Sequence, residues 1–226
     1  MRTSFFLILI INLLSIGNIN SQISTDRPDQ TESPSALEIN QIQIETGIAI
    51  EDYQSNINTL FRFGIINGIE IRLNSNYIIN DKISNLKKSS FTDFEVGAKF
   101  NILNKERITK MGLLTTLSIP TAPEIFSNND YGLLASLLIS HDLQNESQIG
   151  YNVGYNRFNN LKGELIYSLV YSKALDSFTV FFEVFGNDSE VDTALNFDSG
   201  LSYLFDKNKQ LDLSLIHISE PTRPID

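Results

Sequence analysis

The residues equipped for chemistry are few. The chain has two histidines, His141 and His217, and no cysteine. A nucleophile–base–acid set needs a positioned base, most often histidine. His141 adjoins Asp142 at the end of an apolar run and just before a short turn, where a locally hydrogen-bonded rim histidine is the ordinary outcome. Without cysteine there is no thiolate metal site and no disulfide framework, although an oxygen-only cation site stays open. No catalytic residue, metal site or cofactor follows from this inventory. Two sets of charges remain. One is Asp26, Arg27, Asp29 and Glu32, interrupted by Pro28 and followed by Pro34. The other is Glu45, Arg62, Glu70, Arg72, Glu95 and Lys99, each set among alternating apolar residues.

That alternation defines the elements holding the second set. In "IQIETGIAI", Ile42, Ile44, Ile48 and Ile50 oppose Gln43, Glu45 and Gly47. In "INTLFRFGI", Phe61, Phe63 and Ile65 oppose Arg62 and Gly64. After Asn67-Gly68, Ile69, Ile71 and Leu73 oppose Glu70, Arg72 and Asn74, and "DFEVGAKFNI" sets Glu95 and Lys99 against Phe94, Val96 and Phe100. Strict period two marks half-buried strands, and Asn-Gly between two such runs marks a hairpin. Further strands follow at about 111–119, 131–141, 148–157, 163–171, 178–185 and 194–205, with another beginning at Gln210. The stretch "GLLASLLIS" is apolar on both faces and carries the weakest strand signal. Long connections (80–90, 120–130) alternate with short ones, as when strands cross between two unlike rims.

Periodicity alone does not say which face is wet. A soluble sandwich or barrel turns its apolar face inward; an outer-membrane barrel turns it to lipid. Three features favour the membrane. The polar faces mix both signs of charge, as a confined lumen requires. Tyr53, Tyr77, Phe91, Tyr131, Tyr171, Phe178 and Phe205 fall near strand ends, as in an interfacial girdle. Most strands reach the roughly 9–11 residues that cross a bilayer at barrel tilt. "FFLILIINLLSIG" after Arg2 has the form of a signal-peptide core, so residues 1–21 are read as an export signal outside the fold. The net charge of −10 argues against a nucleic-acid partner.

The opening "STDRPDQTESP", the strand "TDFEVGAKFNI" and "SIPTAPE" resemble the bacterial outer-membrane "transporter" family named for a meta-pathway of phenol degradation. The likeness runs from Thr25 to about Asp212, and "SIPTAPE" lacks the glycine often seen after its proline-threonine. The resemblance implies an antiparallel up-and-down transmembrane β-barrel of about twelve strands, of which about eleven are present here. It also implies the handling of small, apolar or aromatic molecules. The ending "LSLIHISEPTR", Leu213–Arg223, matches the translation of a transposon-end sequencing adapter. Residues 213–226 are therefore read as a non-native tail on a C-terminally truncated barrel spanning 37–212. A ring lacking its last strand would expose an unpaired edge to lipid.

For the segment 22–36, one reading is a plug at the periplasmic mouth, with Asp26, Arg27, Asp29 and Glu32 pairing with lumen groups such as Arg62, Arg72 and Lys99. Others are cation binding, or a solvated leader kept extended by its prolines. Glu70 and Arg72, two apart on one face, could satisfy each other. The function expected is an outer-membrane barrel that passes or binds small molecules without catalysing a reaction. The alternatives are a non-conducting structural or adhesion barrel and a soluble periplasmic lipocalin-like barrel. The expected partners are outer-membrane lipid, the barrel-assembly machinery and a small solute.

Overall fold

The structure, a computed structural model, describes residues 5–12, 25–26, 30–51, 54–80, 89–103, 108–159, 162–190 and 192–217. The strands are β1 (Phe5–Asn12), β2 (Ile42–Ile50), β3 (Gln54–Ile66), β4 (Ile69–Asn80), β5 (Ser89–Phe91), β6 (Phe94–Leu103), β7 (Thr109–Ile119) and β8 (Gly132–Asp142). They continue with β9 (Ser147–Phe158), β10 (Glu164–Leu175), β11 (Phe178–Asp188), β12 (Thr193–Asp206) and β13 (Lys209–His217). All lie in one antiparallel sheet that the β3–β4 pairing closes into a ring. The short β5 only flanks β4, so twelve strands make the wall. Apart from β5, strands β2 to β13 run 9–14 residues each, enough to cross a bilayer core at barrel tilt.

The polarity of this wall is the reverse of a soluble barrel's. Glu45, Arg62, Glu70, Lys99 and Glu183 are 0 % exposed and face inward, whereas Leu133, Val153, Leu169 and Phe182 are 50–56 % exposed and face outward. Leaving one such side chain in water forgoes about 1.5–3 kcal/mol of burial. Repeated around the ring, that penalty makes hydrocarbon the solvent this surface suits. The same inversion removes the lipocalin-like alternative, whose apolar face must point inward. Aromatic side chains gather at both ends. Tyr77 packs edge-on to Phe91 at 5.0 Å and Phe91 stacks on Phe94 at 6.0 Å at one rim. Phe178 stacks on Tyr203 at 4.7 Å at the other.

The two rims differ. Two-residue turns at 67–68, 176–177 and 207–208 close one, and the longer connection 120–131 belongs to the other. Gly68 takes the left-handed position of its turn, with φ +79°. A bulge between Gly64 and Ile66 then sets Arg62 opposite Arg72. Within 120–131, a single 3-10 turn (Glu124–Phe126) is held down by Asp93.

Two placements depart from the expectations drawn from sequence. Residues 1–21 were expected outside the fold, yet Phe5–Asn12 forms β1, paired antiparallel with both β2 and β13. Residues 213–226 were likewise set aside, yet Leu213–His217 continues β13 against β12 and β1. The physical reason is the edge. Strands β2 to β13 alone leave two rows of unpaired backbone, and an extended apolar segment satisfies both. Residues 13–24, 27–29 and 218–226 lie outside the described residues.

Candidate functional site

Strand register brings the inward charges together before any other segment is added. Gln43 pairs with Arg62, Arg62 with Arg72, and Glu70 with Lys99. Two guanidinium groups directly opposite each other repel, so this patch needs anions. The wall supplies two: Glu45 accepts from Arg62 Nη1 at 2.9 Å, and Glu70 accepts from Arg62 Nε and Nη2, both at 2.9 Å. Against Arg62, Arg72 and Lys99 the wall alone is therefore one negative charge short.

Two carboxylates from outside the sheet answer this patch, one more than its deficit. The carboxylate of Asp26 lies 2.6 Å from Lys99 Nζ, 3.1 Å from Arg62 Nη1 and 3.4 Å from Arg72 Nη1. Glu32 receives both terminal nitrogens of Arg72, one at 3.0 Å, and sits 3.4 Å from Lys99 Nζ. These side chains are buried except that of Glu32, which is 25 % exposed. A bidentate Arg–carboxylate pair fixes orientation as well as charge.

The described main chain around these acids is held as firmly. Residues 30–41 have little regular structure, so their N–H groups need partners, and the lumen provides them. Asp26 N–H donates to Glu45 at 3.1 Å, Gln30 N–H to Glu183 at 2.8 Å, Ala36 N–H to Asn101 at 2.7 Å, and Leu37 N–H to Glu70 at 2.8 Å. With its amide assigned by its surroundings, Asn152 accepts from Glu32 N–H at 2.6 Å and donates to the Glu32 carbonyl at 3.2 Å. The Thr31 hydroxyl donates to Glu183 at 2.6 Å and lies 2.8 Å from the Ser168 hydroxyl, while Gln210 reaches Thr25 at 3.3 Å. Partners on β2, β4, β6, β9, β11 and β13 surround the segment on all sides, so it lies inside the ring.

Two inward glycines make the fit. A Cβ on Gly64 would stand 1.9 Å from the Glu38 carbonyl oxygen, and one on Gly112 would stand 2.5 Å from that of Pro34. The chain thus lies directly on β3 and β7, where no side chain intervenes.

The segment fills the half of the lumen nearest the tight turns. The other half holds a cavity of about 160 Å³, floored by Glu32 and Arg72 and walled by Leu60, Asn74, Glu95, Leu114, Leu134, Asn156 and Phe158 among others. The Asn74 amide donates to Glu95 at 2.8 Å.

The structure thus brings Glu45, Arg62, Glu70, Arg72 and Lys99 into one cluster with Asp26 and Glu32. Glu95 stands apart, in the cavity. Arg27 and Asp29 lie outside the described residues. Glu70 and Arg72 do form an ion pair, but a long one at 3.9 Å; Glu70 is held more closely by Arg62, and Arg72 by Glu32. His141 is a rim residue, with Nδ1 2.9 Å from Thr109 Oγ1 and Nε2 3.1 Å from the Tyr151 hydroxyl. Glu183, Asn101, Asn152 and Thr31 were missed. Glu183 carried a signal, being the lone charge on the inward face of "FFEVFG".

A search of curated proteins finds no match. Among solved structures, the chain is similar to the COG4313 outer membrane channel from Pseudomonas putida F1, at 9 % identity, 96 % coverage of each chain and a TM-score of 0.52. At that identity the likeness shows the shared fold. The family model described as "Putative MetA-pathway of phenol degradation" matches residues 25–224. That span takes in the inserted segment, every lumen charge named above and the cavity wall, and the chain belongs to this family.

Proposed function

We propose that the protein is an outer-membrane channel for small molecules, closed at its tight-turn end by its own N-terminal segment. The carrying observation is the buried network in which Asp26 and Glu32 complete the charge of Arg62, Arg72 and Lys99. A barrel with a purely structural role has no need of a second, irregular chain inside it; apolar side chains could fill so narrow a ring. A segment held mainly by polar and ionic contacts can instead leave without exposing an apolar core. In this reading the apolar outer belt meets lipid, the tight turns face the periplasm, and the barrel-assembly machinery inserts the chain. The likeness to an outer membrane channel of Pseudomonas putida F1 and the family description support passage of solutes, with chemistry on them left to other proteins.

The competing reading, a non-conducting barrel that works through its long loops, has one observation behind it: half the lumen is occupied. Planar-bilayer recording separates the two. The channel reading expects small or intermittent conductance from the intact protein and a sustained large conductance once residues 22–36 are deleted. A deletion variant that folds, inserts and stays silent would leave the structural reading standing.

A further inference from the structure

The loop-side cavity has two unlike walls. Leu60, Leu114, Leu134 and Phe158 form an apolar side, with Leu60 and Leu114 only 3 % and 4 % exposed. Leu134 explains why "GLLASLLIS" lacks alternation: here the inward face is also apolar. Facing this wall stand Asn74 and the Glu95 carboxylate.

The charges here are not alike in standing. The Arg72 guanidinium is already spoken for by Glu32 and Asp26. Among the described residues Glu95 has one partner, the neutral Asn74 amide at 2.8 Å, and no described Lys or Arg pairs with it, so its formal negative charge looks into the cavity. Glu95 is only partly enclosed, so its carboxylate is reachable from the cavity, and a cation arriving beside the apolar wall would pair with it. The volume, about 160 Å³, is below the roughly 300–1,000 Å³ of ordinary ligand sites, which restricts the occupant to about one ring or a short chain.

From this juxtaposition we infer a binding site for a small organic cation, a protonated amine on an apolar body of one-ring size, with the body on Leu114 and Leu134 and the ammonium donating to Glu95. The inference names a ligand class for the pathway proposed above. It is tested by binding, so it stands or falls separately from conductance.

The test is calorimetric titration of the full-length folded barrel in detergent micelles, with empty micelles as reference, using three probes that share one body. These are phenethylammonium, phenethyl alcohol and phenylacetate. We expect phenethylammonium to bind at least tenfold more tightly than the alcohol, and phenylacetate not at all. Glu95→Gln should bring the ammonium down to the level of the alcohol, while Glu95→Asp, which keeps the charge, should retain the preference. Leu134→Asn should weaken ammonium and alcohol by the same factor. Equal affinity for ammonium and alcohol, preference for phenylacetate, no binding of any probe, or an unchanged ammonium affinity in Glu95→Gln would each overturn the inference. A barrel that conducts but binds no amine refutes this site and leaves the channel intact; one that binds the amine but stays silent does the reverse.

Discussion

At the tight-turn end of the lumen, Glu45, Arg62, Glu70 and Lys99 have no solvent contact, and each meets an opposite charge or a main-chain N–H. At the loop end, Glu95 and Asn74 look into a cavity of about 160 Å³. The same strands, β4 and β6, supply both ends, with the same inward alternation. What differs is the inserted chain. Where residues 25, 26 and 30–41 run, Glu45, Arg62, Glu70 and Lys99 are all answered and the interior is packed; where they do not, the Glu95 charge is left facing open space. An inward-facing charge therefore has no fixed meaning in a barrel of this width. Its role depends on whether the wall's own charge is balanced locally.

The sharpest way to break this contrast is to remove Arg62, which binds Asp26, Glu45 and Glu70 at 2.9–3.1 Å. Arg62→Met leaves three buried carboxylates short of a cation, and stripping one partner from such a network costs about 3–5 kcal/mol. Denaturant unfolding in micelles should show that loss, whereas Glu95→Gln should cost less than about 1 kcal/mol because its head group has solvent-sized space beside it. Equal losses would mean that the two ends are not held differently.

A smaller effect is expected at Thr31, whose hydroxyl serves Glu183. Losing a hydrogen bond to a charged group costs about 1.5–3 kcal/mol. Thr31→Val should therefore speed amide exchange at Gln30 and Glu32, with Asn156 and other cavity-lining positions unaffected.

The smallest effect belongs to the long-loop rim and depends on pH. Burial by itself would push the Asp93 carboxyl up, but the N–H groups of Ala122, Asn128 and Thr121 and the Ser127 hydroxyl outweigh it and hold the group below the usual aspartate range. A depressed folded-state value means that the stabilisation is fully present above the unfolded value, about 3.9, and is lost as pH falls through the lower folded one. Limited proteolysis with an acid-active protease should open residues 120–128 progressively below about pH 4. In Asp93→Asn the loop should be cleaved faster at every pH, without that dependence. The tight-turn rim should show no change in the same experiment.

Much of the wall was legible because period two survives wherever one face meets lipid and the other a polar lumen. It failed at particular places for physical reasons. Gln54, Ser55 and Asn56 begin β3 but carry no apolar member to mark the period. In β8 the lumen itself turns apolar at Leu134 and Leu138. The set of charged residues was also legible, but not their pairing. Counting outward from Asn67-Gly68 without a bulge would put Arg62 opposite Leu73; the bulge at Gly64–Ile66 moves it to Arg72, and that shift creates the demand for Asp26 and Glu32. Glu183, Asn101 and Asn152 serve main-chain N–H groups of a segment remote in sequence, and no local pattern announces such a role.

The inserted segment also bears on the order in which the protein assembles. Its contact with Glu45 spans 19 residues, whereas those with Glu183 and Gln210 span 153 and 185. Loop-closure entropy favours the short spans early and defers the long ones. The Asp26–Glu45–Arg62–Glu70 contacts can therefore form on a nascent three-strand sheet, carrying Asp26 and the chain from Gln30 onward as cargo while the remaining strands are added. The far-wall bonds to Glu183 and Gln210 become available only when the last strands arrive, so the seam of the ring and the stopper within it are sealed in the same late step.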